Sequence, residues 1–240
     1  MIKKFSTKIV FMMFENRISR LIRFLLKWNI LAVHEGLTTS RLKNQPIDRE
    51  GNPLPWLALP AIEFLERCDF KRFTICELGS GSSTLWWAPR CKAIFTFEHS
   101  QTWLNKLNER NAYSNIHGYI QPEYGIFENF EKFNADVIVI DGLDRTSACT
   151  DIHQQITNGK VSPVMIIFDN ANWYPKSSDL LAQLQDFISI DFIGFPPMGL
   201  GKQTTRIFIN TKRDSAWVNA VRVSINRDKR GRTIDEYTLE

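Results

Sequence analysis

From residue 55 onward, short apolar runs alternate with stretches of helical spacing. The runs Phe73–Leu78, Ala93–Phe97, Ile116–Ile120, Ala135–Ile140 and Val164–Phe168 are rich in β-branched and aromatic residues. Polar or glycine residues bound them, so they predict buried strands. Between them, apolar positions recurring every three or four residues predict helices at about Ala61–Arg67, from the loop after Leu78 to near Pro89, at Gln101–Arg110, Ser147–Thr157 and Ser178–Ile188. On Gln101–Arg110 the apolar face is Trp103, Leu104 and Leu107. Strands and helices in alternation predict a mostly parallel sheet covered on both faces. The order changes at the end. Asp191–Phe195 and Thr204–Ile209 read as strands, and the Pro- and Gly-rich connection from Pro196 to Gln203 leaves no room for a helix. That pair predicts an antiparallel hairpin.

The first 54 residues read differently. Arg17, Arg20, Arg23 and Lys27 fall on one face of a helix, and Ile18, Leu21, Ile22 and Leu25 on the other. Such a basic amphipathic helix either packs on the domain or lies on an anionic membrane surface. The apolar run Ile9–Phe14 is too short to span a bilayer, and no small-residue cleavage site follows it. Residues 36–55, with Gly36, Pro46, Gly51, Pro53 and Pro55, read as a loop-like linker. The expected division is residues 1–54 as basic helix and linker, 55–212 as the main domain, and 213–240 as a polar tail, with a little further structure at Val218–Val223.

Charge sharpens this division. The chain has 30 Lys and Arg against 26 Asp and Glu, a net charge of +4. Residues 1–33 carry seven basic residues and one acid, or +6, which leaves −2 for the rest. A near-neutral domain argues against a nucleic-acid groove on it. The four cysteines form no Cys-x-x-C pair. A disulfide framework and a zinc site are therefore not expected, and a reducing, cytoplasmic setting is, with the N-terminal helix allowing a peripheral position on the inner face of a membrane.

The candidate chemistry gathers at strand ends. Ile75-Cys76-Glu77-Leu78-Gly79-Ser80-Gly81-Ser82-Ser83-Thr84 reads as strand, tight loop and helix start. This is the layout of a nucleotide-binding βα unit. Gly79 and Gly81 let a ligand approach the main chain, and Ser82, Ser83 and Thr84 can cap the helix. Glu98 lies 19 residues past Gly79, at the end of the second strand, where a carboxylate can accept hydrogen bonds from both hydroxyls of a ribose. Asp141, Asp169 and Asn170 end two later strands. In a parallel sheet all of these come to one rim, beside the switch point where ligands bind.

With these residues the chain resembles a class I S-adenosylmethionine-dependent methyltransferase over roughly Pro55 to Asn210. The resemblance rests on Glu77–Ser83, Glu98, Asp136–Gly142, Val164–Asn170 and the terminal hairpin. It implies a Rossmann-like α/β fold with a mostly parallel seven-stranded sheet and a C-terminal antiparallel hairpin. The hairpin and Ser83, which replaces a third glycine, separate the chain from a nicotinamide dehydrogenase. The resemblance further implies S-adenosyl-L-methionine held by Glu77, Gly79, Ser80, Gly81, Ser82, Ser83, Thr84, Glu98, His99 and Asp141. Gly51–Trp56, the Ser82–Trp87 run and Ile140–Arg145 also look like a branch associated with surface-glycan genes.

Methyl transfer to a hydroxyl requires removal of the acceptor's proton, which a divalent cation assists. Asp141, Asp169 and Asn170 are similar to the Mg²⁺ ligands of catechol-type O-methyltransferases, and oxygen ligands suit Mg²⁺. That family's lysine after the first acid is missing here. Asp144 could serve as base, or Arg145 could orient an acidic acceptor. The plainer alternative is that Asp141 and Asp169 bind the cofactor or cap loops without metal. The expected function is thus S-adenosylmethionine-dependent O-methylation of a hydroxylated small molecule or glycan precursor, with Asp141, Asp144 and Asp169 as catalytic candidates. Its rival is a non-catalytic accessory protein at a membrane surface that retains the fold.

Overall fold

The computed structural model describes residues 17–22, 25, 36–110, 112–121 and 130–213. Val218–Val223 and most of the polar tail lie outside the described residues. The described elements run α1 (Leu37–Lys43), α2 (Leu59–Glu66), β1 (Thr74–Leu78), α3 (Ser82–Trp87), β2 (Ala93–Glu98), α4 (Gln101–Arg110), β3 (Ile116–Ile120), β4 (Val137–Ile140), α5 (Arg145–Thr157), β5 (Met165–Phe168), α6 (Pro175–Leu181), β6 (Phe187–Gly194) and β7 (Gln203–Asn210).

The seven strands form one sheet in the order β3-β2-β1-β4-β5-β7-β6. The first five are parallel, while β7 runs antiparallel to both β5 and β6. The hairpin pairs Phe187 with Asn210 at its open end and Gly194 with Gln203 at its closed end. This is the Rossmann-like class I methyltransferase fold, as the resemblance implied.

Strand periodicity sorts the core into two layers. Ile75, Ile94, Val137, Val139, Met165, Ile167 and Ile207 face α2 and α3, where Ile62, Leu65, Trp86 and Trp87 cover them. Cys76, Leu78, Ile138, Ile140, Ile166, Phe168 and Phe208 face α5 and α6, covered by Cys149, Ile152 and Leu181. Alternate residues of β1, β4 and β5 thus go to opposite faces, which explains why these strands are apolar throughout.

Two expectations need correction. Residues 36–55 are not all loop, because Leu37–Lys43 is helical between left-handed residues at Gly36 and Asn44. The buried Ser40 hydroxyl donates to the Ile47 carbonyl at 2.6 Å and accepts from the Ile47 N–H at 3.0 Å. Ile47 and Leu54 are buried, and Leu54 belongs to the core under α2. The expected helix over Ser178–Ile188 ends at Leu181, and β6 begins at Phe187. Asp186, at φ 68°, makes the turn. Its carbonyl accepts from the Thr211 N–H and hydroxyl, and its carboxylate pairs with Lys212, so tertiary contacts fix what local spacing leaves open.

Candidate functional site

The switch point lies between β1 and β4, whose following chains leave on opposite sides of the sheet. Gly79, just after β1, has φ 96°. A Cβ there would stand 2.9 Å from Gly142 N and Cα, so the glycines after β1 and β4 touch back to back. Gly81 differs. An added Cβ would meet only Trp103 Nε1, at 3.8 Å. The loop is narrow at Gly79 and open at Gly81.

Beneath this loop sits Glu77, fully buried. Its Oε2 accepts from the Thr84 hydroxyl and, at 3.2 Å, from the Thr96 hydroxyl. Thr84 in turn accepts from the Gly81 N–H at 3.0 Å. Glu77 Oε1 is buried without a hydrogen-bond partner. Burial pushes the Glu77 carboxyl up to about 7, against the pull of the nearby Ser83, Thr84 and Thr96 side chains. Of Ser82, Ser83 and Thr84, expected as helix caps, only Thr84 makes a capping contact, its hydroxyl accepting from the N–H of the N-cap residue. The capping position is Gly81, which has no side chain, and the three residues form the first turn, with Thr84 linking the loop to Glu77.

Glu98 stands at the end of β2, as the spacing predicts, and is buried. Its carboxylate is already occupied. Oε2 accepts from the Ser80 N–H and hydroxyl, both at 3.0 Å. Oε1 accepts from the Ser100 N–H at 3.0 Å and lies 2.9 Å from His99 Nδ1. Three donors and the adjacent His99 ring take up the roughly four lone-pair positions of a carboxylate. Trp103 adds a second tie to the loop, its indole N–H donating to the Ser80 carbonyl at 2.7 Å. A ribose could reach Glu98 only by displacing some of these donors. The exchangeable ones are the Ser80 hydroxyl and the exposed His99.

The acids after β4 and β5 reach the same rim but do different work. Asp141 Oδ1 accepts from Arg145, one helical turn on, which also donates to the Asp141 carbonyl. Burial pushes the Asp141 carboxyl up while Arg145 pulls the other way. The Arg145 guanidinium lies 5.5 Å from the centre of the Tyr174 ring, and its Nε is buried without a partner. Asp144 is the N-cap of α5, its carboxylate accepting from the Ser147 N–H at 3.1 Å.

Asp169 is buried at the start of the next turn. Both its oxygens accept from Gln203 Nε2, at 3.0 and 3.1 Å, and Oδ1 also accepts from the Thr205 hydroxyl at 2.6 Å. Gln203 donates as well to the Trp56 carbonyl, and Thr205 accepts from the Ala58 N–H. Asp169 therefore ties β5, β7 and the segment entering α2 together. Burial and the neighbouring Asp141 raise it to about 8, against the pull of Thr205 and Arg145. Asn170 beside it is buried and left-handed, with φ 55°.

This donor set does not fit the expected Mg²⁺ site. Asp141 is neutralised by Arg145, both Asp169 oxygens are used by the fold, and a guanidinium charge stands where a cation would repel it. Among the described residues no group of three or more His, Cys, Asp or Glu is placed to hold a metal. Gln203 and Thr205 were not singled out in the sequence. The available signal was their alternate spacing on a strand that begins beside the end of β5.

No protein-family model matches the chain, and no curated protein matches it. Three solved structures are similar in fold. N-methyltransferase NodS from Bradyrhizobium japonicum WM9, in complex with S-adenosyl-L-homocysteine, is 15% identical over 75% of this chain and 99% of that one, with a TM-score of 0.47. Sp1610 from Streptococcus pneumoniae, in complex with S-adenosyl-L-methionine, is 14% identical over 63% of this chain and 72% of that one, with a TM-score of 0.46. Cofactor-bound Rv0187 from MTB is 12% identical over 74% of this chain and 90% of that one, with a TM-score of 0.46.

Proposed function

We propose that the chain is an S-adenosyl-L-methionine-dependent methyltransferase acting on oxygen of a hydroxylated small molecule or glycan precursor. The observation that carries this reading is the switch-point loop. A Gly-Ser loop closed by Glu98 lies over a buried Glu77 with one unmet oxygen, in a sheet whose β7 is reversed. The reversed strand separates this sheet from a dinucleotide-binding one.

The residues present fit the cofactor. An unmet carboxylate oxygen under the loop suits an ammonium group, and Glu98 suits a ribose diol once the Ser80 hydroxyl and His99 let go. Glu77 with the 79–81 main chain would hold the amino-acid end, and Glu98 the ribose. When bound, S-adenosyl-L-methionine supplies a methyl group on an already activated sulfonium, so orientation matters more than acid–base help. The protein orients through Gly79 and Gly142, whose contact fixes the loop after β1 against the end of β4. Asp141, raised by burial and aligned by Arg145, is the carboxylate best placed at the rim to take a proton from an acceptor hydroxyl. Asp144 is committed to its helix and does not serve as base in this reading. Leu143 and Trp173, both exposed beside the rim, offer apolar surface to an acceptor.

The test is calorimetric titration of the full chain with S-adenosyl-L-methionine and S-adenosyl-L-homocysteine, beside Glu98→Ala. Wild type is expected to bind both. Loss of the charged hydrogen bonds should weaken Glu98→Ala by about tenfold or more. Folded wild type that binds neither ligand overturns the proposal and leaves the non-catalytic accessory role. A methyl-release screen then follows in chelator, with glycan precursors, small phenols and RNA as separate arms. Activity is expected to persist in chelator, and its loss there with recovery on Mg²⁺ would restore Asp141, Asp169 and Asn170 as ligands.

A further inference from the structure

The N-terminal helix is open to two readings in the sequence, and the exposure of its apolar side bears on them. Residues 17–22 and 25 are helical. Ile18, Leu21, Ile22 and Leu25 are 46%, 57%, 49% and 54% exposed. They are spaced by three, one and three residues, so they share one side of the helix. Had this helix packed its apolar side on the domain, that stripe would be buried, and these side chains are not. Ile75 and Leu65, by comparison, are fully buried in the domain core.

Charge says what kind of surface completes the stripe. Arg17 and Arg20 are exposed beside it. Residues 1–33 carry +6 while the remaining chain carries −2, so the basic charge is concentrated on the segment that bears the uncovered apolar side. An apolar stripe flanked by cations matches an anionic bilayer surface, whose acyl boundary takes the aliphatic groups while phosphates meet the guanidinium groups. An amphipathic stripe of this kind lies in the plane of the surface. Leu25 and Gly36 lie eleven steps apart along the chain, a span of at most about 40 Å, so a docked helix holds the domain within that distance of the lipid.

We propose that residues 17–25 dock this protein onto anionic lipid, with Ile18, Leu21, Ile22 and Leu25 inserted at the headgroup boundary and Arg17 and Arg20 on the phosphates. The proposal stands independently of methyl transfer, because its readout is lipid binding.

The experiment is co-sedimentation of the full chain with vesicles of phosphatidylcholine, with or without phosphatidylglycerol, at low and high salt. Leu21→Glu, Ile22→Glu and the double variant Arg17→Glu/Arg20→Glu are run beside it. Wild type is expected on the anionic vesicles at low salt, with binding at least about tenfold weaker at high salt or on phosphatidylcholine alone. Each variant should lose roughly tenfold or more while keeping the wild-type unfolding midpoint, since these side chains are exposed. Wild type that ignores anionic vesicles, binds both vesicle types equally, or binds as well after Leu21→Glu overturns the proposal. Concentration-dependent self-association abolished by Leu21→Glu, without vesicle binding, also overturns it and gives the stripe to a second copy of the chain.

Discussion

At the scale of single residues, Ser80 and Gly79 lie side by side in the loop yet should respond oppositely to change. Ser80 is expected to contact the cofactor, and here its hydroxyl and N–H both donate to Glu98. Removing the hydroxyl frees one carboxylate position, so Ser80→Ala should bind S-adenosyl-L-homocysteine at least as tightly as wild type. A loss of tenfold or more by calorimetry would return Ser80 to the cofactor. Gly79 has no such freedom. Its φ of 96° and a Cβ only 2.9 Å from Gly142 main chain put strain and a backbone clash in Gly79→Ala. The variant should lose about 2 kcal/mol or more of stability, and a urea midpoint equal to wild type would contradict the contact. Glu77, Gly79 and Glu98 were legible in the sequence because type, spacing and strand position coincide there. What each carboxylate touches was not legible. Asp169 is held by Gln203 and Thr205, thirty-four and thirty-six positions away, and no local pattern announces a partner at that distance.

At the scale of elements, β1, β4 and β5 were read with small errors because each is an apolar run bounded by polar residues and buried on both faces, whereas the start of the largely exposed β6 was missed by four residues. The helices were read less well where tertiary contacts override local preference. The polar, β-branched Leu37–Lys43 stretch is a weak helix former, and its helix depends on Ser40 reaching Ile47. Arg41 adds a longer tie, donating to the Gly199 carbonyl in the hairpin connection at 2.7 Å. The end of β6 shows the same dependence. Gly194 packs under α2, where an added Cβ would meet Pro60 Cδ at 2.5 Å and Cγ at 2.9 Å. One residue on, the Phe195 carbonyl accepts from the Leu59 N–H at 3.0 Å, and Phe192 and Phe64 rings lie 5.1 Å apart. The α2–β6 contact therefore needs a residue without a side chain. Gly194→Val should push α2 off the sheet edge and lower stability by about 1–3 kcal/mol. Hydrogen exchange should rise first at Ala61 and Ile62. Unchanged protection there would mean that Pro60 can move aside freely.

At the scale of the whole molecule, the two most deeply buried acids of the rim make stability depend on pH in an unusual direction. Glu77 is raised from 4.5 to about 7, and Asp169 from 3.8 to about 8. In both, burial disfavours the charged form, so the folded chain keeps a proton that the unfolded chain has already released. Between pH 4 and 8 the native state thus binds more protons than the unfolded state, and stability falls as pH rises through that window. The contribution is complete below the unfolded values, is lost by about pH 7 for Glu77 and about pH 8 for Asp169, and changes no further above that. Each proton adds a slope of about 1.4 kcal/mol per pH unit at its steepest. Asp191, lowered by its hydrogen bonds to Arg206, acts in the opposite sense, but only at pH below its ordinary range and at the surface, where pairs contribute little. Urea midpoints should therefore be higher at pH 5 than at pH 8. Asp169→Asn should flatten the decline, and Glu77→Gln should flatten the part below pH 7. A ligand ammonium on the unmet Glu77 oxygen favours the charged carboxylate, so S-adenosyl-L-homocysteine should raise the midpoint more at pH 8 than at pH 5. A ligand-induced rise that is equal at both values would remove Glu77 from the cofactor, and a midpoint that climbs from pH 5 to 8 would mean that these two acids are charged in the folded protein.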